Sequence, residues 1–176
     1  MVVFLIGYAG SGKSSMGKRL ARRLGVKLFD TDKVVEQAEG ASVADIFYFG
    51  GETYFREAER RAVESVVADN GSCIVATGGG LPVWEDTMEW LNEHGLTLYL
   101  RRDADSIMRR LSAYGREKRP MFRGKSDEEL LAFMKQQMGE REAFYCRAHH
   151  TIDCSTISDD DVENRVVEII ENKING

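Results

Sequence analysis

Short apolar runs rich in β-branched residues alternate along the chain with longer segments in which apolar residues recur at helical spacing. Val2–Ile6, Cys73–Ala76 and Leu96–Leu100 have the length and composition of strands. Lys27–Asp30 and Thr151–Asp153 supply two further short ones. This rhythm predicts a three-layer α/β fold, a five-stranded, mostly parallel sheet flanked by helices on both faces. The least regular stretch runs from Ala113 to Ser126, where glycine, charges and Pro120 interrupt a pattern that resumes as a helix near Asp127. A loop of that length is expected to act as a lid. Asp159, Asp160 and Asp161 precede an amphipathic run ending near Ile170, so they are expected at a helix N-terminus, where acids are favourable, rather than around a metal. No internal repeat or low-complexity tail is visible.

With 176 residues, 43% of them hydrophobic, the chain is long enough for one core and short for two, so residues 1–176 are expected to form a single domain. The first apolar run is far shorter than the roughly 20 residues of a membrane span, and a glycine loop follows it rather than a cleavage site. Cys73, Cys146 and Cys154 form no CxxC pair, which argues against a disulfide framework or a structural zinc and suits the cytoplasm. A net charge of −5 disfavours nonspecific nucleic-acid binding. Against that balance, Arg101, Arg102, Arg109, Arg110, Arg116, Lys118, Arg119, Arg123 and Lys125 crowd one stretch. They suggest a small anionic ligand or, more plainly, a solvated basic face. A monomer is the default.

The strongest local signal is Gly7-Tyr8-Ala9-Gly10-Ser11-Gly12-Lys13-Ser14, a GxxxxGK[ST] pattern directly after an apolar strand and directly before a helical segment. Glycines let the backbone curl so that successive N–H groups point inward, and the following helix adds the positive end of its dipole. Lys13 is then placed for the β- and γ-phosphates of a nucleoside triphosphate, and Ser14 for Mg²⁺. A dinucleotide fingerprint is the rival, since Gly10-Ser11-Gly12 begins a GxGxxG with Asp30 near the position of a ribose-binding acid. Its sixth position is Ser15, however, and Lys13-Ser14 favours phosphate and magnesium.

Asp30-Thr31-Asp32 closes the second candidate strand, at the sheet end where ligands bind. In extended backbone the two carboxylates share a face, Asp30 for magnesium and Asp32 to orient or deprotonate an acceptor hydroxyl. An N-cap is the structural alternative for Asp32. Arg56 and Glu59 lie three apart on one face of a helix opened by Gly50-Gly51, a candidate pair that an ordinary surface salt bridge would equally explain. Thr77-Gly78-Gly79-Gly80 follows the third strand, where glycines mark close approach of a ligand or a flexible turn. No Asp closes that strand, which leaves Asp30 as the carboxylate available to magnesium.

Taken together, the phosphate loop at 7–14, Asp30-Thr31-Asp32, Phe55-Arg56, Gly78–Gly80, Arg119-Pro120 and Arg141-Glu142-Ala143-Phe144-Tyr145 resemble the shikimate kinase family in order and approximate spacing over nearly the whole chain. The resemblance implies a P-loop NTPase fold of the nucleoside-monophosphate-kinase type. It also implies ATP with Mg²⁺, and phosphorylation of the 3-hydroxyl of shikimate on the route to aromatic amino acids. By the same resemblance the acceptor-binding segment spans about residues 32–60 and the lid about 113–126. Asp32 takes the acceptor hydroxyls, and Arg56 and Arg141 the carboxylate. Glu59 helps order this shell, and Gly78, Gly79 and Gly80 approach the ring, which rests on a wall of Val43, Phe47 and Phe55. The ATP-binding set is Gly10, Gly12, Lys13, Ser14, Ser15, Met16, Gly17, Arg110 on the adenine and Arg119 from the lid. Lys13, Asp32 and Arg119 form the catalytic set, with Ser14 and Asp30 toward the metal. The chain departs from the family pattern in having Met121-Phe122 after the lid proline, where aliphatic residues are expected, and in lacking an arginine or proline in Cys154-Ser155-Thr156-Ile157. His94, His149 and His150 match no family role and are expected at the surface or at strand ends. A gluconate-type kinase is the enzymatic alternative, and a slow nucleotide-dependent switch the non-catalytic one.

Overall fold

Burial on both faces is what the apolar runs require, and the computed structural model, which describes residues 1–111, 116 and 120–175, provides it. The strands are β1 (Val2–Ile6), β2 (Lys27–Asp30), β3 (Cys73–Ala76), β4 (Leu96–Arg101) and β5 (His150–Asp153). They form one sheet in the order β2-β3-β1-β4-β5. Every pairing is parallel, with Val3 opposite Ile74 and Leu96 and with Asp30 opposite Ala76. The sheet is therefore wholly parallel where the sequence suggested mostly parallel.

Side-chain alternation divides each strand between two cores. Val2, Phe4 and Ile6 of β1 join Val75 and Tyr99 on one face. This face is covered by α3 (Val43–Asp69), α4 (Thr87–His94), α5 (Ala104–Arg110) and α6 (Asp127–Tyr145), through Val63, Leu91, Ile107 and Met134 among others. Val3 and Leu5, with Ile74, Leu98 and Leu100, face the other way onto α1 (Lys13–Leu24) and α7 (Asp159–Asn175), through Leu20, Val166 and Ile170. Each such fully buried side chain stabilises the fold by about 1.5–3 kcal/mol relative to exposure. A third, smaller cluster, Val35, Ile46, Phe55, Ala58 and Ala62, locks α2 (Thr31–Glu39) against α3.

Local signals fix several helix ends. Ser126 and Glu129 form a reciprocal capping box at the start of α6. Ser158 accepts from the Asp161 N–H in the acidic first turn of α7, as its three aspartates led one to expect. α3 is longer than the sequence implied. It spans Val43–Asp69 as two helical segments across a kink at Gly51 (φ 77°, ψ 178°), which separates the Val43–Gly50 segment from the segment carrying Arg56 and Glu59. Among the described residues no helix is long and apolar enough to cross a membrane.

Candidate active site

β1 lies between β3 and β4, so its carboxyl end opens beside the ends of β2 and β3, where chain connections diverge and a crevice forms. The cleft there has a volume of about 1000 Å³. Its floor is the phosphate loop. Gly7 and Gly10 adopt φ of 148° and 85°, conformations that L side chains rarely take. A Cβ on Gly10 would also lie 2.9 Å from Ile107 Cγ2. Gly12 stands at the N-cap of α1 without a capping side chain, and no acid occupies the first turn, which leaves the positive helix end to an external anion. Lys13 is buried, its Nζ donating to the carbonyls of Gly7 (2.7 Å) and Tyr8 (2.9 Å). Ser14 donates through Oγ to Asp30 Oδ2 at 2.6 Å, bringing together the two residues expected to face a metal.

Asp30 and Asp32 both line the cleft, but not for the reason given by extended geometry. Thr31 already begins α2, Asp30 occupies its N-cap position, and Asp32 lies in its first turn. Asp32 is therefore not the cap, and the Asp30 side chain makes no capping bond because it is turned toward Ser14. Burial raises the Asp32 carboxyl above its ordinary pKa and neighbouring Asp30 adds to this, while Lys13 and Arg56 pull it back.

The acceptor side is equally dense. Arg56 and Glu59 are 6% and 0% exposed, which excludes the surface salt bridge, and they are bonded to each other through Nη1 and Oε2. Arg56 Nη2 also reaches Glu52 Oε1 at 3.2 Å, and its guanidinium lies 5.3 Å from the Phe55 ring centroid. Glu59 Oε1 is buried without a hydrogen-bond partner among the described residues. Burial pushes the Glu59 carboxyl up to about 7 despite the Arg56 charge beside it. The Gly78–Gly80 turn fits closely over this pair. A Cβ on Gly78 would collide with Glu59 Oε1, and one on Gly80 with the Arg56 guanidinium. Its backbone is held by Gly78 N–H donating to Thr31 Oγ1 (2.8 Å) and by Tyr145 Oη donating to Gly79 O (2.5 Å). Arg141, from α6, lines the cleft, with its guanidinium 5.7 Å from the Tyr8 ring centroid. Val43, Phe47 and Phe55 line it as well, forming the expected apolar wall.

Arg110 borders both the cleft and a smaller adjoining cavity of about 240 Å³, which Met16, Ser15 and Cys154 also line. It pairs with Asp159 Oδ2 at 2.7 Å, a bond that holds the Asp159 carboxyl below the usual range. Gly17 lies against the sheet rather than the cavities, since a Cβ there would meet Leu28 Cδ1 at 2.7 Å. Arg119 lies outside the described residues, as do Ala113, Tyr114, Gly115, Glu117 and Lys118 of the expected lid. Met121 lines the cleft, whereas Phe122 is buried and stacks on Tyr8 with ring centroids 6.4 Å apart, so the aromatic residue serves the core. The basic stretch divides as well. Arg101 pairs with Asp153, and buried Arg102 donates to Ser11 O and pairs with Asp159. His94, His149 and His150 are exposed, outside the cleft.

Sequence reasoning gave no individual role to Thr31, Arg102 or Tyr145, whose partners lie 47, 91 and 66 residues away. Arg102 was visible only as part of the basic stretch, and Tyr145 only as the end of the Arg141–Tyr145 motif.

A phosphate loop at the end of β1, facing a carboxylate, paired arginines and a glycine turn across one crevice, defines a P-loop kinase of small metabolites. Residues 9–172 match the family model described as shikimate kinase. A shikimate kinase from Parabacteroides distasonis is 37% identical over 96% of this chain and 98% of its own length. The structure of the Bacteroides thetaiotaomicron shikimate kinase superposes with a TM-score of 0.88 at 33% identity, covering 97% of this chain and 98% of the other. The Acinetobacter baumannii shikimate kinase in complex with shikimate superposes at 0.85 and 25% identity, with 98% and 93% covered. The chain belongs to the shikimate kinase family.

Proposed function

We propose that the protein transfers the γ-phosphoryl group of ATP to the 3-hydroxyl of shikimate, giving shikimate 3-phosphate and ADP in the pathway to aromatic amino acids. The observation that carries this reading is one cleft holding Lys13 and Ser14 on one side and Asp32, Arg56, Arg141 and the Gly78–Gly80 turn on the other. Two guanidiniums lining one cleft, those of Arg56 and Arg141, suit a single planar carboxylate, and Asp32 suits hydroxyl donors. The raised affinity of Asp32 for a proton makes it a stronger base than an exposed aspartate, placed to take the hydroxyl proton as the oxygen attacks phosphorus. Lys13, the α1 N-terminus and, by family resemblance, Arg119 offset charge on the phosphoryl oxygens. The Ser14–Asp30 pair, a hydroxyl and a carboxylate, has the hard oxygen donors that Mg²⁺ prefers. Bound there with ATP, Mg²⁺ would neutralise charge on the bridging phosphates. Desolvation beneath a closed lid would keep water from the triphosphate. Three free cysteines suit a reducing cytoplasm, and a monomer suffices because every group named comes from one chain.

The deciding experiment is coupled ADP release with ATP and Mg²⁺, comparing no acceptor, shikimate, gluconate and nucleoside monophosphates. Turnover confined to shikimate is expected. Turnover with another acceptor, or equally with none, overturns the reading. In the same assay Asp32→Asn is expected to lower kcat by about 10²–10⁴ with little change in KM for ATP. A near-normal kcat would remove Asp32 from the base role.

A further inference from the structure

Tyr145 is fully buried, yet its hydroxyl meets the ceiling of the acceptor site, donating to the Gly79 carbonyl at 2.5 Å. Burial pushes its pKa up to about 12 even though the Arg141 guanidinium beside it acts in the opposite sense, so at neutral pH the hydroxyl keeps its proton and remains a donor. Every other tie on the glycine turn leaves the same two groups over. Gly78 N–H is taken by Thr31, Gly78 O by Leu81 N–H and Gly80 O by Val83 N–H. Among the described residues the N–H groups of Gly79 and Gly80 have no partner, and both glycines line the cleft. In a trans peptide the carbonyl of one residue and the N–H of the next point in opposite directions. Holding Gly79 O against Tyr145 therefore turns Gly80 N–H away from Tyr145.

We propose that Tyr145 is a positioning residue of the acceptor site. Its hydroxyl fixes the Gly79–Gly80 peptide, and with it the turn whose two unpartnered N–H groups are then available to the acceptor's carboxylate, and it registers that peptide against Arg141. The arrangement couples two otherwise separate elements, because Arg141 and Tyr145 are four residues apart on one face of α6 while the glycine turn follows β3. This inference rests on the reading of shikimate as acceptor.

The test is steady-state kinetics of Tyr145→Phe beside Tyr99→Phe. Tyr99 lies in the same cluster, its ring 5.2 Å from that of Tyr145, but donates to Glu142 Oε2 and has no bond to the glycine turn. Tyr145→Phe is expected to raise KM for shikimate about five- to tenfold, leaving kcat at saturating shikimate and KM for ATP near wild type. Tyr99→Phe should leave both KM values unchanged. An unchanged shikimate KM in Tyr145→Phe overturns the inference. So does parallel weakening of both substrates, or the same effect from Tyr99→Phe, because each is what a merely structural hydroxyl would give. A wild-type chain that ignores shikimate overturns the substrate reading and this inference with it. A wild-type chain that uses shikimate, beside a Tyr145→Phe variant of normal KM, overturns this inference alone.

Discussion

Glu59 is the residue at which burial and charge conflict most openly. It is bonded to Arg56, which should favour the carboxylate, yet complete burial dominates and places its pKa at about 7 instead of 4.5. Between those two values the folded chain binds a proton that the unfolded chain releases, so this group's contribution to stability is full below 4.5 and is lost as pH rises toward about 7. The Asp32 carboxyl, also raised, adds a slope of the same sign. Glu52, Arg56 and Asp32 are the charges facing Glu59, and all three remain in Glu59→Gln. Urea unfolding of wild type between about pH 5 and pH 7 should therefore show stability falling with pH more steeply than in Glu59→Gln. Equal slopes would place the titration elsewhere. The sequence showed the Arg56–Glu59 pair but not its burial, since a spacing of three is the same in solvent and in a core. What separates the two cases is tertiary packing, the Gly78–Gly80 turn closing over the pair.

At the scale of elements, the strands were legible because their signal is composition, and composition is dictated by burial on both faces. β1, β2 and β3 lie where the apolar runs put them, and β4 and β5 differ by one residue at an end. The α2–α3 unit was less legible. Asp32 was reasoned into extended backbone, whereas α2 begins one residue earlier, and the carboxylate reaches the cleft from a helical turn instead. The glycine turn illustrates what local sequence can and cannot supply. Three glycines mark close approach, but not which element approaches, and here it is α3 itself. Gly80 has ordinary dihedrals (φ −93°, ψ −19°), so alanine is excluded by the Arg56 guanidinium and not by backbone strain. That guanidinium is pinned by Glu52, Glu59 and Phe55 and has little room to yield. Gly80→Ala should thus raise KM for shikimate by about tenfold or more, since it displaces a charged contact, with KM for ATP nearly unchanged. Gly71→Ala, where a Cβ would meet nothing within 4 Å, serves as the silent control. Equal weakening of both substrates by Gly80→Ala would mean that the turn supports the whole cleft rather than the acceptor half.

Across the whole molecule the two halves of the site meet through Ser14–Asp30 and Tyr8–Arg141, but the phosphate loop has a further brace that the acceptor half does not share. The acceptor half rests on α2, α3 and the end of α6, whereas the further brace ties the phosphate loop to the opposite side of the fold. Arg102, 6% exposed at the end of β4, donates from Nε to Ser11 O at 3.2 Å and pairs with Asp159 at the head of α7. One side chain thus links the sheet, the loop that receives phosphate and the last helix, a connection between residues too distant in sequence for any motif to announce. Saturation of either ligand at about 100 times its Kd should raise Tm by about 5–10 °C, from the mass-action stabilisation and the entropy of unfolding of a domain this size. If the Arg102 brace acts on the phosphate loop alone, Arg102→Met should reduce the shift produced by MgATP, because the Ser11 peptide loses its anchor, while the shift produced by shikimate persists. Thermal unfolding with each ligand alone distinguishes the cases. Loss of both shifts would show that the phosphate loop also organises the acceptor half, and retention of both would show that Arg102 braces the fold without tuning the nucleotide site.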